Sequence, residues 1–298
     1  HDHGGFKYLG WQKIVRSQLS PLHPMVERHQ QVYYGGVGWP DELARRGYAV
    51  LCHDVFAFGS RRIMATDLPD PVVDRLMRAP GERREIAPGE PGCPGAGEAC
   101  DVPPGEPSDR IERYHGFAAQ HESVVAKSLF CAGLTWPGVV LAEDRAALSY
   151  LAARPDVDAE RLACCGLSGG GLRTCYLAGM DDRVRAAVTV GFLTTWRDFL
   201  LDTSHTHTWM IYLPGLPRYL DFPEILGLRA PLASLALATT GDPLFTRAEI
   251  ERAGRMLAEV YRKAGSPEAF RLSWHPGLHQ FDRTMQAEAF DWIGARIG

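Results

Sequence analysis

Residues 162–172 read Leu-Ala-Cys-Cys-Gly-Leu-Ser-Gly-Gly-Gly-Leu, and how this stretch is read decides the fold. Residues 162–165 are a short apolar run with the length of a buried strand. A helix is predicted from about Leu172 to Ala178. Between them lies Gly166-Leu167-Ser168-Gly169-Gly170, a G-x-S-x-G sequence. The pattern is short and recurs by chance, so its context carries the weight: strand before, helix after, as a nucleophile elbow requires. A turn this tight strains the serine, and small flanking residues keep the crossing backbones from colliding. The hydroxyl then projects over the sheet, beside helix N–H groups that can meet a developing oxyanion. The bland alternative is a glycine-rich turn, perhaps cradling a phosphate.

Outward from this turn, strand and helix patterns alternate. Residues 39–47 predict a short helix ended by Gly47, and YAVLCHD (48–54) predicts a buried parallel strand. Helical periodicity covers 109–130 and 138–153, the latter with Val139, Val140, Ala147, Leu148 and Leu151 as its apolar face. Strands are expected at Arg185–Val190, Leu235–Thr239 and Phe270–Trp274, an amphipathic helix at 246–264, and a closing helix at the end. Such alternation implies an α/β fold: a mostly parallel sheet with helices on both faces. No internal repeat is visible. The chain reads as a single domain over 1–298, with a Gly/Pro-rich insertion at about 80–107 and a small, irregular, cap-like segment at about 194–230.

Reactive groups in open parallel sheets gather at the carboxyl ends of strands. A serine hydroxyl needs a neutral imidazole to take its proton and a carboxylate to hold that imidazole. With the order Ser, acid, His, the acid is Asp242, which follows a predicted strand in LALATTGDPLF. Its alternative role is to cap the next helix. Asp181 and Asp182 sit at a helix end and are poorly placed. His279, in HPGLHQF, follows the last strand with Gly277 close by; His275, at the strand end itself, is the competitor and is expected to be packed or solvated. The oxyanion donors are expected to be the N–H groups of Gly169 and of His3 or Gly4, in the opening HDHGG. Trp196, Trp209 and Tyr212 either line a substrate pocket or form a packed cap. His1, Asp2 and His3, and His205 with His207, raise the thought of a metal, but no partner cluster has the right spacing. No cofactor is implied.

Composition narrows the classes. The 298 residues are 45% apolar and 23% charged, with a net charge of -4. Lys and Arg are dispersed, which argues against a nucleic-acid groove or an anionic-membrane anchor. No apolar run reaches the ~20 residues of a membrane span. Seven Cys are scattered along the chain. Cys164 and Cys165 read as small core residues, Cys93 and Cys100 as a local disulfide or free thiols, and the set fits a reducing cytoplasm better than a disulfide framework. The opening HDHGG has no signal-peptide character and reads as the turn after a strand lying upstream of it. Nothing in the sequence indicates an oligomeric state.

RAALSYLAARPDVDAERLACCGLSGGGLRTCYLAG (145–179), GDPLF (241–245) and HPGLHQF (275–281) together resemble the α/β-hydrolases grouped with acetyl xylan esterases and dienelactone-hydrolase-like esterases. LARRGYAVLCHDVFAFGSRR (43–62) is similar to that group's strand after the oxyanion loop, and HDHGG to its oxyanion turn. The resemblance implies the α/β-hydrolase fold, a triad of Ser168, Asp242 and His279, and hydrolysis of a small-molecule ester without a metal. It also implies that His3 supplies an oxyanion N–H. Residues 80–107 depart from the group's pattern. Two other readings use the same triad, a peptidase or amidase and an acyltransferase; a non-catalytic ligand-binding relative would lack it.

Overall fold

The computed structural model describes residues 1–3, 5–16, 21–76 and 105–298. Gly4, Cys93, Cys100 and most of the Gly/Pro-rich stretch, residues 80–104, lie outside the described residues.

Among the described residues four strands, β1 (Leu162–Leu167), β2 (Val184–Val190), β3 (Ala233–Thr239) and β4 (Phe270–His275), form one sheet in sequence order, every neighbouring pair parallel. Helices cross between them: α6 (Gly169–Met180) after β1, α7 (Phe222–Gly227) before β3, α8 (Arg247–Lys263) after β3 and α9 (Arg283–Ile297) after β4. The N-terminal part supplies α1 (Pro24–Tyr34), α2 (Trp39–Arg45), α3 (Asp70–Leu76), α4 (Ser108–Cys131) and α5 (Trp136–Ala152). The fold is α/β with helices on both faces, as the alternating patterns imply. α8 stops where predicted, with Gly265 at φ 75 beyond its end. α1 is set by His23, whose Nδ1 accepts from Met25 N–H, followed by Pro24, a start that fits a helix.

The strands sort their side chains by parity. Ala186, Val188 and Val190 of β2 and Leu235 and Leu237 of β3 face α9, meeting Met285, Phe290 and Ile293. The alternate residues Ala187, Ala236 and Ala238 face α6 and α8, among Leu172, Tyr176, Ile250 and Leu257. β3 is buried along its whole length, whereas β4, at the sheet's edge, is only partly covered. Each fully buried Val or Leu here contributes about 1.5–3 kcal/mol, an upper estimate. The central strands therefore anchor everything attached to their ends.

Residues 48–54, predicted as a strand, are not one. The run is β-rich, but a strand exists only where a neighbour supplies ladder partners. Tyr48, Val50 and Cys52 instead line one side of a groove of about 610 Å³, with Ala163, Cys164 and Cys165 of β1 across it. The adjacent cysteines are accordingly half-buried, not deep in the core. Residues 194–230 form short pieces as expected: a π-helical turn at Asp198–Asp202, 3₁₀ turns at Trp209–Ile211 and Leu216–Arg218, and α7. No single helix among the described residues is long and apolar enough to cross a membrane.

Candidate active site

At the carboxyl end of the sheet the backbone ladder continues beyond the strands. Ser168 N–H donates to Val190 O at 2.8 Å, Gly191 N–H to Leu237 O at 2.9 Å, and Thr240 N–H to His275 O at 2.9 Å. Gly241 N–H donates to Gly277 O at 2.9 Å. These bonds tie the turns after all four strands into one rim, so the residues that follow them inherit the sheet's rigidity.

Ser168 sits at φ 58 and ψ -115, between β1 and α6. A left-handed backbone at a non-glycine residue costs of order 1–3 kcal/mol, held only because its surroundings fix it. The flanking glycines are required by contact. A Cβ on Gly166 would lie 2.6 Å from the Gly170 carbonyl carbon, and one on Gly169 would lie 3.0 Å from His3 N. The second contact brings the His3 backbone nitrogen against the start of α6.

His279 Nδ1 lies 2.7 Å from Asp242 Oδ2, the two side chains 10% and 2% exposed. The Leu244 N–H donates to the other Asp242 oxygen at 2.9 Å. Asp242 does not cap the following helix, whose N-cap is Thr246. His279 Nε2 is buried and has no hydrogen-bond partner among the described residues. Gly191, at φ 53, makes room for the ring: a Cβ there would lie 2.9 Å from His279 Cε1. With Nδ1 donating to the carboxylate, Nε2 is left as a free acceptor. His275 turns elsewhere, its Nε2 2.7 Å from Glu288 Oε2 on α9. Asp181 pairs with Arg145 and Arg183.

A cavity of about 470 Å³ opens over these groups, lined by Ser168, Gly169 and His279 and by His3 and Glu122. Its apolar wall includes Val55, Phe58, Phe192, Met210, Ile211 and Phe245. Trp196, Trp209 and Tyr212, candidates for this wall, do not line it. Trp196 packs on Phe222 with ring centroids 4.2 Å apart and donates its indole N–H to Leu220 O. Tyr212 donates its hydroxyl to Phe199 O, and Trp209 is 40% exposed. The 3₁₀ turn at 209–211 directs Met210 and Ile211 to the cavity and leaves Trp209 and Tyr212 off its wall, while Trp196 is buried in the core. His207 donates to Leu244 O at 2.8 Å and packs on Phe199 and Phe245. Burial lowers its pKa, against the pull of that carbonyl. Among the described residues no group of three or more His, Cys, Asp or Glu is arranged to hold a metal.

The opening turn is held by buried charge. Lys13, fully buried, donates to Asp2 O at 2.6 Å and His3 O at 3.1 Å. The Asp2 carboxylate accepts from His29 Nε2 at 3.1 Å and from the Tyr34 hydroxyl, both carried by α1. Burial works to raise the Asp2 carboxyl, but Lys13, His29 and these hydrogen bonds outweigh it and hold it well below its ordinary value. Burial lowers Lys13 to about 8, opposed by Asp2 and Asp54. Beneath the elbow, Arg173 of α6 grips Asp144 of α5 with bonds of 3.0 and 2.6 Å, and His53 Nε2 reaches the same carboxylate at 2.9 Å. None of these charged partners was identifiable from motif spacing.

Comparison with known proteins gives three findings. Residues 134–223 match the model of the prolyl oligopeptidase family; this stretch holds α5, β1, the Ser168 turn, α6 and β2, and ends before Asp242 and His279. The Bacillus subtilis (strain 168) protein "Putative hydrolase YtaP" is 28% identical over 153 residues. That alignment covers 51% of this chain and 51% of YtaP, so the chain spans about half the length of this relative. Among solved structures, a glucuronoyl esterase from Solibacter usitatus aligns with a TM-score of 0.48 at 16% identity, covering 54% of this chain and 49% of that one. A structure from Bacteroides fragilis titled "putative acetyl xylan esterase" aligns with a TM-score of 0.45 at 18% identity, covering 55% and 43%.

Proposed function

We propose that this chain is a serine hydrolase that cleaves a small-molecule carboxylic ester through an acyl-enzyme. One observation carries the reading. Ser168 is held in a strained left-handed turn on the same cavity as His279, whose Nδ1 is fixed by Asp242 and whose buried Nε2 has no partner among the described residues. An imidazole held in this tautomer is a general base waiting for a proton.

In the first step Ser168 Oγ attacks the ester carbonyl while His279 Nε2 takes its proton. Asp242 stabilises the imidazolium. The carbonyl oxygen becomes an anion facing the N–H groups of Gly169 and His3, and losing one such donor costs about 100- to 1000-fold in rate. His279 then protonates the departing alcohol. Water, activated by the same ring, releases the acid. The name of the Bacillus subtilis relative, "Putative hydrolase YtaP", agrees in class with this reading.

The test is turnover of a p-nitrophenyl ester by Ser168→Ala. Loss of turnover by a factor of about 10⁶, with substrate binding retained, is expected. Unchanged turnover, or failure of the wild type to be labelled by a fluorophosphonate, overturns the reading. Rates on matched ester and anilide substrates decide between esterase and amidase, and added alcohol or amine acceptors reveal an acyltransferase.

A further inference from the structure

Glu122 projects from the middle of α4 into a place where three separate segments meet. Its Oε1 accepts from His3 Nε2 at 3.0 Å and from Lys7 Nζ. Its Oε2 accepts from Thr208 Oγ1 at 2.7 Å and from Trp209 N–H at 3.0 Å. One carboxylate, 8% exposed, thus takes four donors, from the opening turn, from the segment behind it, and from the cap. Two of those partners, His3 and Thr208, line the cavity that holds Ser168. His3 is further pinned by Gly5 N–H, which donates to Nδ1 at 3.1 Å, so its ring presents its proton to Glu122.

We propose that Glu122 is a positioning residue for the oxyanion site: it fixes His3 so that the His3 N–H stays beside Gly169, and it closes the cap against the same point. The proposal rests on the hydrolase reading above. The turn that carries the His3 backbone nitrogen is gripped through the His3 side chain and through the carbonyls of residues 2 and 3. Lys13 grips the carbonyls; Glu122 grips the ring. A charged acceptor suits this position because four donors converge on it, and charge-assisted bonds are the stronger kind. Burial alone would raise the Glu122 carboxyl, yet His3 and Lys7 hold it far below its ordinary value. It therefore stays ionised across the working range of pH. An amide in its place would turn an N–H₂ towards two donors, leaving them unpaired in a buried site.

The experiment measures kcat and KM for p-nitrophenyl acetate, per active site counted by completed fluorophosphonate labelling, and inhibition by a phenylboronic acid whose tetrahedral adduct places an oxygen at the donors. In Glu122→Gln, kcat per labelled site should fall about 10- to 100-fold, a part of the loss expected for removing a donor outright. KM should change less than about threefold, and boronate inhibition should weaken in step with kcat. Glu122→Asp, which keeps the charge but withdraws it by one methylene, should lose about 3- to 10-fold and serves alone if Glu122→Gln does not fold. Unchanged kcat per labelled site with unchanged boronate inhibition overturns the proposal, even if the melting temperature drops. A wild type without Ser168-dependent turnover defeats the hydrolase reading instead, which separates the two failures.

Discussion

Ser168, Asp242 and His279 hang from the ends of parallel strands, whereas His3, on the same cavity, lies outside the four strands of the described residues. On the first side backbone geometry does the positioning. Register fixes where each strand ends, the hydrogen bonds from Ser168, Gly191, Thr240 and Gly241 bind the turns together, and missing Cβ atoms let them touch. On the second side buried charges do it: Lys13 on the carbonyls of residues 2 and 3, His29 and Tyr34 on Asp2, Glu122 on His3. Backbone ladders tolerate most side-chain changes. A buried charge cluster does not, because removing one member leaves another unpaired.

Substitutions can break this contrast, and the largest effect is expected on the strand-built side. Asp242→Asn should lower kcat by about 10⁴-fold while leaving stability nearly unchanged, since it alters the imidazole tautomer and not the turn. Steady-state kinetics with a urea titration checks both halves of that statement. On the charge-built side the order should reverse. Lys13→Met should cost about 3–5 kcal/mol of stability, read as a lower urea midpoint at constant slope, because the Asp2 carboxylate loses its buried cation. A Lys13→Met protein as stable as the wild type would mean that the cluster contributes shape and little energy. The smallest effect is expected at His275→Gln, which touches Glu288 and not the cavity: kcat/KM should stay within about twofold. A larger loss would extend the reactive group beyond the three residues that the geometry joins.

The same contrast explains what could be read in the sequence. The elbow, the acid and the histidine each follow a strand with a local signature, so short apolar runs of strand length, their alternation with helices and the glycines around Ser168 were enough to set these three candidates at strand ends. The stretch 48–54 misled because a strand is a property of pairs: its composition was right, but a groove lies where β1 would have to pair with it. For Trp196, Trp209 and Tyr212 the sequence left pocket wall and packed segment equally open, because a 3₁₀ turn that directs Met210 and Ile211 to the cavity is invisible in composition. The charged partners left a fainter trace. Asp144 falls between Val140 and Leu148 on the apolar face of α5, and Glu122 between Ala118 and Ala126 on that of α4, each four residues from its neighbours. A carboxylate in such a stripe is out of place unless a buried cation waits for it. That clue shows that a partner exists, but which distant residue fills the role depends on the folded arrangement.

The backbone at residue 168 also sets reactivity and durability against each other. A penalty of about 1–3 kcal/mol is a sizeable share of a margin that is typically only 5–15 kcal/mol for a folded domain. Glycine would relieve it at no steric cost, so variants chosen purely for surviving heat should drift towards glycine at this position and fall silent as they toughen. The nucleophile is thus the residue that a hardier but idle descendant would discard first.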